Sequence, residues 1–74
     1  MGKLRLLSGK EVCAILEKHG FRPIRRRGSH VVMQKELPGG GTLTVPVPDH
    51  KEIRMGTLQS IIRQSGISRD AFES

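Results

Sequence analysis

The stretch from residue 25 to residue 33 brings together the residue types best suited to chemistry. Three consecutive arginines precede Gly28, Ser29 and His30, and an apolar run of three residues follows. An arginine guanidinium binds phosphate in a forked geometry, and an unperturbed histidine, with a pKa of about 6.5, exchanges a proton near neutral pH. The combination indicates a polyanionic ligand and a proton transfer at a phosphate.

The distribution of charge also favours a polyanionic ligand. The chain has 13 Lys and Arg against 7 Asp and Glu, a formal net charge of +6. Residues 1–35 hold nine of the basic residues and two of the acidic ones, whereas residues 36–74 hold four and five. A basic half that contains the arginine block is typical of a nucleic-acid-binding protein. The alternative interpretation is a solvated basic face that only keeps the protein in solution.

Length and composition predict one small domain, spanning residues 1–74, with a core of Val, Ile and Leu. The single cysteine, Cys13, has no partner for an internal disulfide, which fits a reduced cytoplasm, and it is expected to pack as a small apolar group. The apolar part of residues 1–7 is too short for a signal peptide, and nothing resembles a membrane span. We therefore expect a cytoplasmic protein.

Two helices are predicted from capping residues and apolar spacing. Ser8 and Glu11 have the spacing of a capping box, and the first helix is expected from about Gly9 to His19. The positive charge of its last turn suits the helix dipole. The second helix is expected from Met55 or Gly56 to residue 65. Glycines follow both helices, and Ser68 is expected to cap a last short turn that returns Ala71 and Phe72 to the core.

Three strands are predicted between the helices. The first covers residues 24–27, with an arginine-rich outward face, and Gly28 gives the freedom that a tight hairpin needs. The second covers residues 30–35. The third covers residues 42–47, whose apolar residues alternate as in a half-buried strand. Pro46 and Pro48 indicate that this strand lies at an edge of the sheet or ends there.

The face of the sheet that His30 occupies stays open at this point, because Val31, Val32 and Met33 are consecutive apolar residues. If Val31 and Met33 face the core, His30 shares the open face with Val32 and Gln34. If Val32 faces the core, His30 borders the core. In either case the expected fold is α+β, in the order α-β-β-β-α, with both helices on one face of an antiparallel sheet and the other face free for a ligand.

The sequence resembles the HicA, or YcfA-like, family of bacterial toxin ribonucleases from residue 7 to residue 72. Each matching piece is short, and their order and spacing make the resemblance specific. They are Ser8-Gly9-Lys10-Glu11, Gly20-Phe21, Gly28-Ser29-His30, Val45-Pro46, His50, Gly56-Thr57-Leu58 and the run from Ile61 to Ile67.

The resemblance implies a fold like that of double-stranded-RNA-binding domains and a toxin of a type II toxin–antitoxin system. It implies cleavage of mRNA without a metal or other cofactor, inhibition by a HicB-type antitoxin, and a functional histidine at His30. It supplies no second catalytic residue.

Our hypothesis from the residues is that His30 moves a proton while the 2′-hydroxyl of RNA attacks the neighbouring phosphate. The alternative is a strand histidine that only fixes the register. His50 is the candidate for a second acid or base, whereas His19 is expected to serve the end of the first helix. The candidate RNA contacts are Arg25, Arg26, Arg27, Gly28 and Ser29, with Lys10 and Lys35 as lesser ones.

The three histidines are scattered and the carboxylates do not cluster, so no metal site is expected. The chain contains two Phe and neither Trp nor Tyr, so binding of RNA should be mainly electrostatic. The competing functions are a non-catalytic RNA-binding module of the same fold and, less in keeping with the basic stretch, a protein–protein adaptor.

Overall fold

The chain folds in the predicted order, α-β-β-β-α, in a computed structural model that describes residues 3–73. The described residues do not include Met1, Gly2 and Ser74. The two ends of the predicted domain, and the start of the segment considered as a signal peptide, therefore lie outside them. The elements are α1 (Gly9–Lys18), β1 (Arg22–Arg27), β2 (His30–Glu36), β3 (Thr42–Pro48), α2 (Met55–Ser65) and a short 3-10 helix, Arg69–Phe72.

Helix α1 begins with the predicted capping box. Ser8 Oγ accepts a hydrogen bond from Glu11 N at 3.1 Å, and Glu11 Oε1 accepts one from Ser8 N at 2.9 Å. The hydrogen bond from the Ser8 backbone N–H, with a smaller contribution from the Ser8 side chain, holds the pKa of the Glu11 carboxyl below its ordinary value. The helix ends one residue before the predicted boundary, and His19 is its C-cap, with Nδ1 2.9 Å from the Ile15 carbonyl oxygen. The helix-terminal role predicted for His19 is confirmed.

The three strands form one antiparallel sheet in the order β1-β2-β3. Strand β1 begins two residues earlier than predicted and includes Pro23, which an edge strand tolerates. The register shifts between Pro23 and Arg25, so Ile24 forms a β-bulge. Strand β3 lies at the opposite edge, as its prolines predict, and its alternation is confirmed by the fully buried Val45 and Val47.

The register of β2 resolves the question of which face His30 occupies. Met33 is fully buried in the core between sheet and helices, and Val31 packs against that core. Residues alternate between the faces of a strand, so His30, Val32 and Gln34 lie on the opposite, open face. The first of the two registers allowed by the sequence is therefore the one adopted.

Both helices cover the same face of the sheet and close one core. Helix α2 has the predicted bounds and ends at Gly66, which is left-handed with a φ of 71°. Ser68 caps the 3-10 helix, and Phe72 is fully buried. The buried cluster comprises Leu7, Val12, Leu16, Phe21, Met33, Val45, Val47, Ile53, Leu58, Ile61, Ile67 and Phe72. Within residues 3–73, no helix is long and apolar enough to cross a membrane.

Gly9 sits where α1 meets the loop after β3. Its N–H donates to the His50 carbonyl oxygen at 2.8 Å, and a Cβ at this position would overlap the carbonyl oxygen of Pro48. Only a residue without a side chain allows the two backbones to approach so closely.

We expect Gly9→Ala to lower the free energy of unfolding by about 1–3 kcal/mol, the usual cost of overpacking. Gly56→Ala is the matched control, because Gly56 also lies in the first turn of a helix but has open space around it. That control should raise stability by about 0.5–1 kcal/mol through helix propensity. Urea unfolding of both variants tests the prediction, and equal effects of the same sign would contradict it.

Candidate nucleic-acid interface

The open face of the sheet is organised in rows that run across the three strands. Residues paired in register lie side by side on the same face. Three consecutive rows result, named here by their β2 residues. The histidine row is Arg27, His30 and Pro48; the valine row is Arg25, Val32 and Pro46; and the glutamine row is Arg22, Gln34 and Thr44.

The bulge at Ile24 determines which arginines belong to this face. Arg22 and Arg25 are three residues apart in β1, but their partners Gln34 and Val32 are two apart in β2. In an uninterrupted strand, a spacing of three residues would place these arginines on opposite faces. The extra residue restores them to the same face, so each row begins with an arginine.

A shallow cleft of about 390 Å³ crosses the three rows. His30 is exposed at the start of β2, so its imidazole is accessible from solvent. The cleft combines cations, an imidazole and an apolar surface. Its lining consists of Arg25, Arg27, His30, Val32, Thr44 and Pro46.

The hairpin turn places His30 directly opposite Arg27. Gly28 and Ser29 form the two-residue turn, and Gly28 has a φ of 57° at the first central position, where type II′ turns require glycine. Both turn residues are exposed. Because the turn is so short, the guanidinium and the imidazole start from paired backbone positions at one end of the sheet.

Arg26 lies on the helix side, away from the cleft. It pairs with Val31, and its Nη2 contacts Asp49 Oδ2 at 2.9 Å. Asp49 also donates its backbone N–H to the Ser29 carbonyl oxygen at 2.6 Å. One residue after β3 therefore ties together β1 and the hairpin turn. Of the three arginines grouped by the sequence, the structure brings two to the face of His30 and commits the third to an ion pair.

The remaining predicted residues, Lys10, Lys35 and His50, do not line the cleft. Lys10 lines a groove of about 210 Å³ on the helix side, together with Arg26 and Asp49. Lys35 is also on that side, with Nζ 5.9 Å from the centre of the Phe21 ring. His50 is exposed in the loop after β3, but its side chain does not line the cleft.

Four residues of this region were not singled out from the sequence as functional: Val32, Thr44, Pro46 and Asp49. Thr44 and Pro46 were identified only as strand residues. Once Gly28 and the second turn fix the register of the hairpins, simple counting places Pro46 beside Val32 and Thr44 beside Gln34. No local signal identifies Asp49, because its partner Arg26 is 23 residues away in the sequence.

Cys13 is half-buried and packs against the core, as expected for a small apolar group. Burial, with a smaller contribution from the negative charges of Glu17 and Asp49, raises the pKa of its thiol. Among the residues that the structure describes, no three His, Cys, Asp or Glu side chains form a group that could hold a metal ion.

The fold and the cleft define a small α+β domain with an exposed basic face. A family model described as the HicA toxin of bacterial toxin–antitoxin systems matches residues 9–67, which is most of the chain. The chain belongs to the HicA toxin family and is a toxin of a toxin–antitoxin system. The family implies a cognate antitoxin as partner. A search of curated proteins finds no match.

The pair between Arg26 and Asp49 should couple in a double-mutant cycle made with Arg26→Gln and Asp49→Asn. The Arg26 side chain is 57% exposed, so we expect a coupling free energy of about 0.5–1 kcal/mol, reduced at high salt. The control is Arg22 with Glu36, whose charged atoms are 3.8 Å apart and whose side chains are 72% and 80% exposed; its coupling should be near zero. Urea unfolding of the single and double variants measures both values, and equal coupling in the two cycles would refute the difference.

Proposed function

We propose that this toxin is a metal-independent endoribonuclease that cleaves mRNA on the open face of its sheet, in the cytoplasm. The observation that carries the proposal is the cleft shared by His30, Arg25 and Arg27. RNA supplies its own nucleophile, the 2′-hydroxyl next to each scissile phosphate. A protein that cleaves RNA therefore needs to move protons and to neutralise charge on the phosphoryl oxygens, which are the functions of these side chains.

In the proposed reaction, the 2′-oxygen forms a bond to phosphorus while the bond from phosphorus to the 5′-oxygen breaks. His30 takes the proton of the 2′-hydroxyl or supplies the proton of the leaving 5′-oxygen. Arg27, opposite His30 in the register, and Arg25 in the next row stabilise the negative charge on the phosphoryl oxygens. The products are a 2′,3′-cyclic phosphate and a 5′-hydroxyl end.

His50 is the proposed second proton-transfer group. The hydrogen bond from Asp49 N to the Ser29 carbonyl oxygen holds its loop beside the hairpin turn, at the same end of the sheet as His30. Its side chain is exposed and lies outside the cleft, so this role requires its rotation toward the scissile phosphate. Transfer of both protons through His30 and water is the alternative.

Cleavage of a long, largely single-stranded RNA in EDTA tests the proposal. The wild type should cleave, and His30→Ala should be slower by at least about 10²-fold, the usual contribution of a general acid or base. His50→Ala should also be slower if it is the second group. His19→Ala is the control, because its imidazole serves the end of α1, and this variant should cleave like the wild type.

The competing function, a non-catalytic RNA-binding module, predicts that the folded wild type binds the RNA and leaves it intact. Equal cleavage by the wild type and His30→Ala would instead show that a different residue is catalytic. Products with 5′-phosphate ends would exclude the proposed attack by the 2′-hydroxyl. Far-ultraviolet circular dichroism of each variant distinguishes loss of chemistry from loss of the fold.

RNA affinity should depend on the arginines unequally. We expect Arg25→Gln and Arg27→Gln each to reduce the slope of log K against log salt by about 0.7, the value for one phosphate contact on single-stranded nucleic acid. Arg26→Gln should have less effect, because Asp49 already neutralises Arg26 on the other side of the sheet. Fluorescence anisotropy with a labelled RNA at several salt concentrations measures these slopes, and three equal reductions would contradict the assignment.

The other proposed RNA contacts are peripheral. Gly28 and Ser29 present exposed backbone at the edge of the cleft, and Lys10 and Lys35 lie on the helix side, where they can meet only RNA that continues beyond the cleft. The antitoxin implied by the family is proposed to be of the HicB type and to cover His30 and the open face. An acidic or cleft-filling surface would complement the exposed arginines there.

A further inference from the structure

The valine row interrupts the polar open face with an apolar strip. Val32 is on this face and is not part of the core cluster on the other side of the sheet, although it is only 6% exposed. Exposed Pro46 lies beside it on β3, and Arg25 lies beside it on β1. This strip lies between His30 in one row and the polar Gln34 and Thr44 in the next, and the same cleft crosses all three rows.

We propose that the valine row is a binding subsite for an unpaired nucleobase of the RNA, adjacent to the phosphate at His30, and that the glutamine row reads the edge of this base. The inference rests on the proposed ribonuclease function and specifies how that function selects its substrate.

The spacing of the rows agrees with the layout of a nucleotide. Successive residues on one face of a strand are about 6.8 Å apart, twice the rise per residue. If Arg27 and His30 hold a phosphate in the histidine row, the valine row is therefore about 6.8 Å away along the strands. The sugar and base attached to that phosphate can extend in this direction. The edge of that base then reaches Thr44, one step further along the same cleft.

The valine row offers the surfaces that a base needs. The flat guanidinium of an arginine can stack on a base while its positive charge still acts on the adjacent phosphate, so Arg25, the arginine of this row, can serve both. The Pro46 ring is an apolar surface at the opposite side, and Val32 forms the floor between them. Both phenylalanines are buried in the core, so aromatic stacking is unavailable on this face and Arg25 and Pro46 take its place.

The glutamine row offers hydrogen-bonding groups of both kinds. Gln34 Nε2 lies 3.3 Å from Thr44 Oγ1. A glutamine amide has two donor hydrogens and an acceptor oxygen, and a threonine hydroxyl both donates and accepts, so one mutual hydrogen bond leaves donors and acceptors for a ligand. Base edges differ in their pattern of donors and acceptors, so this pair can favour one base over another.

The subsite also selects the form of the RNA. A paired base is stacked inside a duplex and its Watson–Crick edge is occupied, so only an unpaired base can lie flat on the valine row. Cleavage should therefore be confined to single-stranded segments. The competing explanation is structural, with Val32 and Pro46 serving only to cover the centre and the edge of the sheet.

The first test compares Thr44→Val with Thr42→Val in cleavage of a randomised single-stranded RNA, with the cleaved ends sequenced. Both threonines are exposed on the same face of β3, but only Thr44 lines the cleft. Thr44→Val should change the relative frequency of the bases beside the cut by about fivefold, the effect of one lost hydrogen bond. Thr42→Val should leave the frequencies unchanged. Cleavage by Thr44→Val with the wild-type base frequencies overturns the subsite and leaves the ribonuclease function standing.

A binding measurement tests the subsite without cleavage. Backbone amide signals of the wild type are followed by nuclear magnetic resonance during titration with each of the four nucleoside 3′-monophosphates and, separately, with ribose 5-phosphate. His30 should respond to all of these ligands, whereas Val32 and Thr44 should respond only to those that carry a base. Equal responses of Val32 and Thr44 to ribose phosphate overturn the inference. A base-dependent response supports it even if the wild type proves unable to cleave RNA, the result that would refute the proposed function alone.

Discussion

The register of the central strand β2 is the constraint on which the rest of the structure depends. Its backbone is paired on both sides, so one choice of register fixes the faces of all three strands at once. A slip of one residue would turn Val31 and Met33 out of the core, turn Val32 into it and leave His30 at its border. The observed register packs two apolar side chains, Val31 and Met33, against the core, whereas the slipped one would pack Val32 and turn the polar Gln34 to that face, so burial of apolar surface favours the observed register. The core therefore determines on which face the histidine is presented.

The end of the sheet that carries His30 is held by contacts from distant parts of the chain. Asp49 joins Arg26 with its carboxylate and Ser29 with its backbone N–H. Gly9 brings the start of α1 against the backbone from Pro48 to His50. These contacts lie behind and beside the open face, so they hold the hairpin without occupying the cleft. A two-residue turn fixes the pairing of the residues on either side of it, so the position of the His30 backbone relative to Arg27 is set by the hairpin itself.

Much of the fold can be predicted from local signals in the sequence. Which residues form the candidate site cannot be predicted in this way. The capping box at Ser8, the stop at Gly66 and the alternation of β3 are each contained within a few residues, so their predictions were accurate. The bulge at Ile24 has no such signal. The bulge depends on the register in which β1 pairs with β2, and because of it Arg22 and Arg25 lie on the same face of the sheet.

The separation of the arginine block has the same origin. Alternation alone predicts that Arg26 points away from Arg25 and Arg27, but the sequence cannot tell which face is open until the register of β2 is known. The three apolar residues after His30 leave that register ambiguous. Which of the three arginines can reach a ligand in the cleft is therefore decided by strand pairing. A count of positive charges in the sequence overstates the charge at the cleft, because it includes Arg26.

The two sides of the hairpin differ in how their positive charge is used. On the helix side, Arg26 is paired with a carboxylate and Lys35 lies over an aromatic ring. On the open side, Arg25 and Arg27 have no ion-pair partner among residues 3–73. Neighbouring like charges on one face repel each other, and a polyanion or an acidic protein surface relieves that repulsion. If RNA and the antitoxin both bind this face, as proposed, they must compete for it. An inhibitor that neutralises these arginines would therefore block the proposed RNA site without contacting every residue of the cleft.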